Sequence, residues 1–285
     1  MRTSAALAAP PSELEHELLR ELAIERFGLE LTAKRRTTVA RRLAPRLSAC
    51  RTDSVGAYCR RLRQRAGDDP EWGYLADAVT NSETYFFRGG AQLDAFVALL
   101  PALARRRPLR VLSAGCASGE ETYSLALVLA AHADALPASH EVIGVDVATP
   151  RLDQARAGRY RRRSFKPAQA VPPGVDLDRH LVRDGDARVP GPALRAHVRF
   201  RAGNLADPDG LGLGRFDVVF CRNVLIYAHR AGWPRFLRTL ADALEPDGYL
   251  FLGQTESLVG RDSPFAARRV GGSFAYVHAA CRSGS

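Results

Sequence analysis

Cysteine is sparse and scattered in this chain. Cys50, Cys59, Cys116, Cys221 and Cys281 make an odd total of five, with no CxxC pair and no Cys/His cluster. Neither a disulfide framework nor a zinc site is expected from that spacing, and no metal is expected elsewhere. Long apolar runs are lacking as well. No stretch approaches the roughly 18 consecutive apolar residues of a membrane-spanning helix, so no membrane insertion is expected. The opening MRTSAALAAPPSELEHELL holds no apolar core segment before its acidic residues begin, so no signal peptide is expected and the chain reads as cytoplasmic. Internal repeats and long low-complexity segments are also missing. What is present is an ordinary globular composition: 285 residues, 46% hydrophobic and 25% charged. That suits one large domain or two small ones with a sizeable core.

Acidic residues are nearly absent from one window. Between Lys34 and Arg65 there are 11 basic residues and a single acid, Asp53, a local excess equal to the whole +10 of the chain. A basic patch this confined points to an acidic partner, which could be nucleic acid, an anionic membrane surface or an acidic protein. The plainer reading is a solvated face of an arginine-biased protein, since Lys34 and Lys166 are the only lysines.

Residues 12–80 read as an all-helical module. Ser12 followed by Glu15 predicts a capping box, Leu14, Leu18 and Leu22 form a stripe, and Gly28 stops the first helix. Thr32 is expected to cap a second helix running to about Leu47, kinked or shortened by Pro45. Helical spacing puts Arg35, Arg42 and Arg46 close together on a face beside Val39, Leu43 and Leu47. Further helices are expected near Ser54–Gln64 and Pro70–Ala78. Beyond Arg88 the pattern alternates. Strands are predicted at Leu109–Ala114, Val142–Val147, Val198–Arg201, Phe216–Cys221, Tyr249–Gly253 and Ser273–His278. Helices are predicted at Glu120 to about Leu136, Pro150–Ala157 and around Trp233–Leu244. Such alternation implies βαβ units in a mostly parallel, doubly wound sheet. Residues 159–196, rich in Arg, Pro and Gly, read as an insertion.

Four segments carry chemistry. SAGCASGEE (113–121) turns sharply after the first strand, where glycines allow close approach of a ligand. Alone it reads equally as a tight strand–helix turn without one. Asp146 ends the second strand, where nucleotide folds hold ribose hydroxyls, although a lone Asp there also caps helices. Two glutamates beside the turn suit a cationic ligand bearing ribose, such as S-adenosylmethionine, better than a pyrophosphate. FCRNVLIY (220–227) sits at a strand's carboxyl end, where Arg222 and Asn223 are poor core residues and Tyr227 is either functional or simply packed. TNSETYFFR (80–88) joins the module to the sheet. Its aromatics read as interdomain core, and Thr84 and Arg88 project together if the stretch is helical.

These segments, with ARAGRY (155–160), GNL (203–205) and LEPDGYLFLGQTESL (244–258), resemble the CheR family of chemotaxis-receptor glutamate O-methyltransferases. The match runs in order from about residue 13 to 279. The resemblance implies an α/β fold: a Rossmann-like S-adenosylmethionine-dependent methyltransferase sheet (81–285), a small N-terminal helical docking domain (12–80) and a short inserted β-subdomain (159–196). It implies cofactor contacts at Ser82, Thr84, Arg88, Glu120, Asp146, Asn204, Leu205, Cys221 and Arg222, with Arg88 and Tyr227 beside the methyl group and the substrate carboxylate. The partner it implies is the cytoplasmic domain of a methyl-accepting chemoreceptor, met by a monomer through Arg35, Arg42 and Arg46, with no nucleic acid involved.

Three positions depart from the family pattern. Ser82 stands where Asn is usual, with Asn81 one residue early. Thr122 replaces a Pro. The insertion reads Arg179–His180–Leu181 where an aromatic pair usually follows the Arg, so no grip on a receptor tether peptide is expected. Two other readings stay open: a catalytically weak S-adenosylmethionine-binding signalling module of the same fold, and a nucleic-acid methyltransferase.

Overall fold

The computed structural model describes residues 10–103, 108–136, 140–166, 170–207 and 209–279. Ser12 begins the order. Its hydroxyl accepts the Glu15 amide N–H at 3.2 Å and its own N–H donates to the Glu15 carboxylate at 3.0 Å, the expected capping box. Helix α1 (Glu13–Phe27) ends at Gly28, whose φ of +66° glycine accepts without strain. A Cβ there would also lie 2.9 Å from the Phe236 ring. Helices α2 (Arg36–Ala49), α3 (Val55–Arg63) and α4 (Glu71–Val79) complete the module.

The start and the length of α2 differ from expectation. Thr32 makes no capping hydrogen bond; a 3-10 turn, Ala33–Arg35, intervenes before the helix begins. Pro45 does not shorten the helix, which continues to Ala49 because Leu43 and Leu47 on either side are fully buried.

A helix that the sequence analysis did not mark, α5 (Gly90–Leu103), leads to the sheet. There follow β1 (Leu109–Ala114), α6 (Glu120–Ala131), β2 (His140–Asp146) and α7 (Thr149–Ala157). α6 is five residues shorter than expected and passes into a 3-10 turn, Ala133–Ala135. The insertion then contributes β3 (Tyr160–Arg161), α8 (Leu177–His180), β4 (Leu181–Asp184), β5 (Ala187–Pro190) and α9 (Pro192–Ala196). Its strands form a separate antiparallel sheet in the order β3-β5-β4. The chain continues through β6 (Val198–Ala202), β7 (Phe216–Cys221), α10 (Trp233–Ala243), β8 (Leu244–Leu252), β9 (Phe265–Val270) and β10 (Ser273–His278). β8 begins at Leu244, earlier than expected, and β9 was not foreseen.

The main sheet runs β6-β2-β1-β7-β8-β10-β9. The first five strands are parallel, and β10 is antiparallel to both of its neighbours. Strand order reverses between β1 and β7, and open α/β sheets bind ligands outside the carboxyl ends of strands at such a point.

Burial is continuous across the junction of module and sheet. One apolar cluster joins Leu19, Phe27, Leu43 and Leu75 of the module to Val145, Phe216 and Phe236 around the sheet. Phe86 and Phe87 lie in the other cluster, on the opposite face of the sheet. Phe86 stacks on Phe165 at 4.5 Å and meets Tyr160 edge-on, so these rings secure the inserted subdomain rather than the helical module.

Candidate active site

Two cavity lobes of about 620 and 550 Å³ meet at the carboxyl edge of the sheet, above the β1/β7 reversal. They share Asn81, Ser82, Gly115, Ala117, Asn223 and Tyr227. Gly115 (φ +81°) closes β1; a Cβ there would lie 2.4 Å from the Val224 side chain, so only glycine lets the two loops approach. Ala117 and Asn223 hold left-handed backbone at φ +48° and +59°, unusual for residues bearing a Cβ and grouped here at the cavity.

The first lobe has an apolar wall of Phe27, Leu29, Val147 and Phe236, with Asp146, Asn204 and Leu205 beside it. The Asp146 carboxylate accepts N–H groups from Ala117 and Ala148, each at 2.8 Å. Burial raises its pKa despite those two donors, which pull it down. The Asn204 amide is not turned to a ligand: it donates to the Arg26 carbonyl at 2.7 Å and ties the end of α1 to the sheet.

The second lobe brings Thr84 and Arg88 together with Glu121, Arg222 and Ile226. The stretch Asn81–Tyr85 is irregular rather than helical, yet Thr84 and Arg88 still line one space. Arg88 donates to the Glu83 carbonyl at 2.9 Å and lies against the Tyr85 ring. Arg222 serves as a buried brace. Its guanidinium donates to Glu121 at 2.7 Å, to Gln92 at 3.2 Å and to the Arg88 carbonyl. Tyr227 is half-buried, and its hydroxyl accepts from the Asn81 side-chain amide at 3.2 Å.

Two nominated residues lie elsewhere. Glu120 points away from both lobes, accepting from Ser118 at 2.7 Å and from Ser164 of the insertion at 2.9 Å. Burial raises its pKa while those hydroxyls oppose the shift. One residue is 100° of helix, and it is Glu121 that faces the cavity. Cys221 is fully buried in β7 and lines neither lobe; burial pushes its thiol well up, leaving it neutral.

Arg35, Arg42 and Arg46 do not form a free basic face. Arg35 donates to the carbonyls of Val79 and Thr80, Arg42 to that of Thr80, and Arg46 to the buried Glu71 carboxylate. These guanidiniums tie α2 to α4 and the linker after it. Arg35 also lies 5.9 Å from the centroid of the Tyr227 ring. Lys34, Arg41, Arg51 and Arg60 are exposed, and their side chains make no hydrogen bond or ion pair among the described residues.

Several contributors escaped the sequence analysis. Buried Glu256 accepts three backbone N–H groups, from Asn223 at 2.7 Å, Ile226 at 3.0 Å and Gly253 at 2.6 Å, and so fixes the loop that bears Tyr227. The module reaches the same loop. Glu30 N–H donates to the Tyr227 carbonyl at 2.7 Å, His229 N–H donates to the Gly28 carbonyl at 2.8 Å, and Leu29 pairs with Ala228. Asn81 and Glu121 adjoin motif positions, which is the signal that could have found them.

An adenosyl group fits this donor set. Asp146 suits ribose hydroxyls and the aromatic and aliphatic wall of the first lobe suits a base. In the second lobe Arg88 can take a carboxylate while Glu121 suits an ammonium. Comparison with known proteins agrees. Residues 82–271 match the family model described as CheR methyltransferase, SAM binding domain, and residues 14–80 match CheR methyltransferase, all-alpha domain. The chain is 33% identical over 255 residues to the chemotaxis protein methyltransferase of Salmonella typhimurium, covering 87% of this chain and 85% of that one. Chemotaxis protein methyltransferase 1 of Pseudomonas aeruginosa is 33% identical over 257 residues, covering 86% and 90%. A probable biofilm formation methyltransferase of the same organism, WspC, is 34% identical over 240 residues, covering 81% of this chain and 54% of that one.

Proposed function

The chain belongs to the CheR methyltransferase family, and on that premise we propose that it methylates the γ-carboxylate of glutamates on the cytoplasmic domain of a methyl-accepting chemoreceptor, acting as a cytoplasmic monomer. S-adenosylmethionine is the cofactor, and when bound it supplies the electrophilic methyl group. The observation that carries the reading is the convergence of Thr84, Arg88, Glu121 and Tyr227 on one lobe, joined to the Asp146 lobe.

A glutamate carboxylate is already ionised near neutral pH, so no residue has to act as a general base. The work left to the protein is orientation and the exclusion of water. Arg88 orients the substrate carboxylate through paired N–H donors. Tyr227, held by Asn81, presents its hydroxyl to the same group. Asp146 and the wall of Phe27, Leu29 and Phe236 hold the adenosyl side, while Arg222 and Glu121 fix the floor. The receptor meets the helical module through exposed cations whose side chains have no partner among the described residues, Lys34, Arg41, Arg51 and Arg60.

The test is transfer of radiolabel from methyl-labelled S-adenosylmethionine to a purified receptor cytoplasmic domain, followed by release of label in alkali. Base-labile label is expected. Cofactor binding by calorimetry without any transfer to candidate receptor domains would favour a silent signalling module, which the methyltransferase relatives do not. Alkali-stable label on nucleic acid would overturn the reading altogether.

A further inference from the structure

The exposed surface beyond the catalytic loop carries a second basic feature. A broad groove runs between the start of α10 and the segment 260–264, beginning at Ala228, the residue after Tyr227. Trp233 and Leu237 line its apolar part, and Arg230, Arg238 and Arg261 stand around it with Asp262 as the single acid. Arg230 and Arg238 are exposed, and their side chains make no hydrogen bond or ion pair among the described residues. Arg261 is held differently: its guanidinium lies 4.3 Å from the Trp233 ring centroid and donates to the Ser257 carbonyl at 3.2 Å. A guanidinium laid on an aromatic ring loses little further freedom on meeting a carboxylate, and Arg forks match carboxylates bidentately.

The groove is mechanically part of the site. Its far wall follows directly from Glu256, whose carboxylate takes the N–H groups of Asn223 and Ile226 in the catalytic loop. Its near end is the Ala228 that pairs with Leu29. Ile226, 48% exposed, lines the second lobe and stands two residues before Ala228, where the groove begins.

We infer that this groove binds an acidic segment of the protein substrate flanking the glutamate that enters beside Tyr227, with carboxylates paired to Arg230, Arg238 and Arg261 and an apolar side chain against Trp233. The inference rests on the carboxyl-methyltransferase reading, which fixes the substrate as a protein acid. Charge complementarity selects the occupant: three guanidiniums face one carboxylate, and none of the three has an ion-pair partner among the described residues. The site thereby reads residues neighbouring its target as well as the target.

The experiment compares the unaltered chain with the Arg230→Glu/Arg238→Glu variant on a receptor cytoplasmic domain across a salt series. KM for the receptor is expected to rise about tenfold at low salt, or ~1.4 kcal/mol. kcat at saturation, calorimetric affinity for S-adenosylmethionine and the circular dichroism melt should not change, and KM should depend less steeply on salt. A variant KM within about twofold of wild type under the same conditions overturns the groove. So does a labelled duplex oligonucleotide that competes with the receptor on wild type and not on the variant, because that assigns the arginines to phosphate. If wild type forms no base-labile ester on any receptor domain, the methyltransferase reading fails first, and that outcome is distinct from both.

Discussion

The side-chain amide of Asn81 donates to the hydroxyl of Tyr227 at 3.2 Å, across 146 residues of sequence. Ser82 occupies the motif position where the family usually carries Asn, and among the described residues its shorter side chain has a hydrogen-bond partner only in the Thr80 hydroxyl, at 3.4 Å. Asn81 thus supplies an amide to the site from one position earlier and spends it on the tyrosine. Arg35 lies beside the same ring, so the tyrosine is flanked by the helical module and by the linker that follows it.

Removing the donor should therefore weaken Tyr227 as much as removing its hydroxyl. Asn81→Ala and Tyr227→Phe are each expected to lower kcat about tenfold, ~1.4 kcal/mol. The double variant should lose little more, since both changes break one interaction. Initial rates of methyl-ester formation at saturating cofactor provide the check. Full additivity of the two losses would separate the residues.

Arg88→Ala is expected to abolish methyl transfer while the protein stays folded. The side chain is half-buried, and among the described residues its one hydrogen bond runs to the Glu83 carbonyl, five residues earlier, so little of the fold depends on it. Near-wild-type turnover in a radiolabelled-methyl assay would remove Arg88 from the mechanism, and a collapsed thermal transition would give it a structural role.

Glu256→Gln replaces a three-fold acceptor with an amide that places its own N–H groups against backbone N–H groups. Leaving buried donors unmatched costs about 1–3 kcal/mol apiece. At least one such loss should lower the melting temperature by roughly 2–4 °C in a chain of this size. Because Asn223 and Ile226 are two of the three donors, the same variant should bind S-adenosylmethionine more weakly. An unchanged melt with unchanged cofactor affinity would contradict the assignment.

Acid should loosen the helical module through Glu71. Burial pushes this carboxyl's pKa up, but hydrogen bonds from Arg46 and Tyr58 outweigh burial, and the net shift is downward. A depressed folded-state pKa stabilises the protein above the unfolded value, about 4.3 for Glu, and that stability disappears as pH falls through the folded pKa. Glu71→Gln should consequently melt well below wild type at neutral pH, with the gap closing below about pH 4. Melting curves from neutral to acid pH measure the gap. A constant gap would mean that the lost stability is packing and not charge.

Local chemistry was legible where partners are close in sequence. The Ser12–Glu15 box, Gly28 at the end of α1, and Asp146 at the end of β2 followed from spacing alone, as did the parallel sheet from its alternating strands. Non-local partners were not. α5 was missed because it is apolar nearly throughout, with Gln92, Leu93, Phe96, Leu99 and Leu100 all buried, so no polar stripe marks it. β9 was missed because its exposed residues come as the run Ala267–Arg268–Arg269, which erases alternation. Glu120 and Glu121 are chemically identical neighbours, and only the rotation of the first helical turn decides which one faces the cavity. Arg35, Arg42 and Arg46 look like free charge in the sequence because their acceptors, the carbonyls of Val79 and Thr80 and the Glu71 carboxylate, lie 25 to 45 residues away and carry no sign of pairing in composition.

The strand-like contact of Gly28–Glu30 with Tyr227–His229 bears on how such enzymes can be recombined. Phe27 and Leu29 wall the adenosyl lobe, so a chimera that exchanged the first 80 residues for those of a relative, aiming only to redirect receptor choice, would also import new cofactor-pocket walls and a new edge for the catalytic loop. Receptor preference and cofactor affinity are then inherited as one unit, and a graft that preserves activity has to carry residues 27–30 over unchanged from the host.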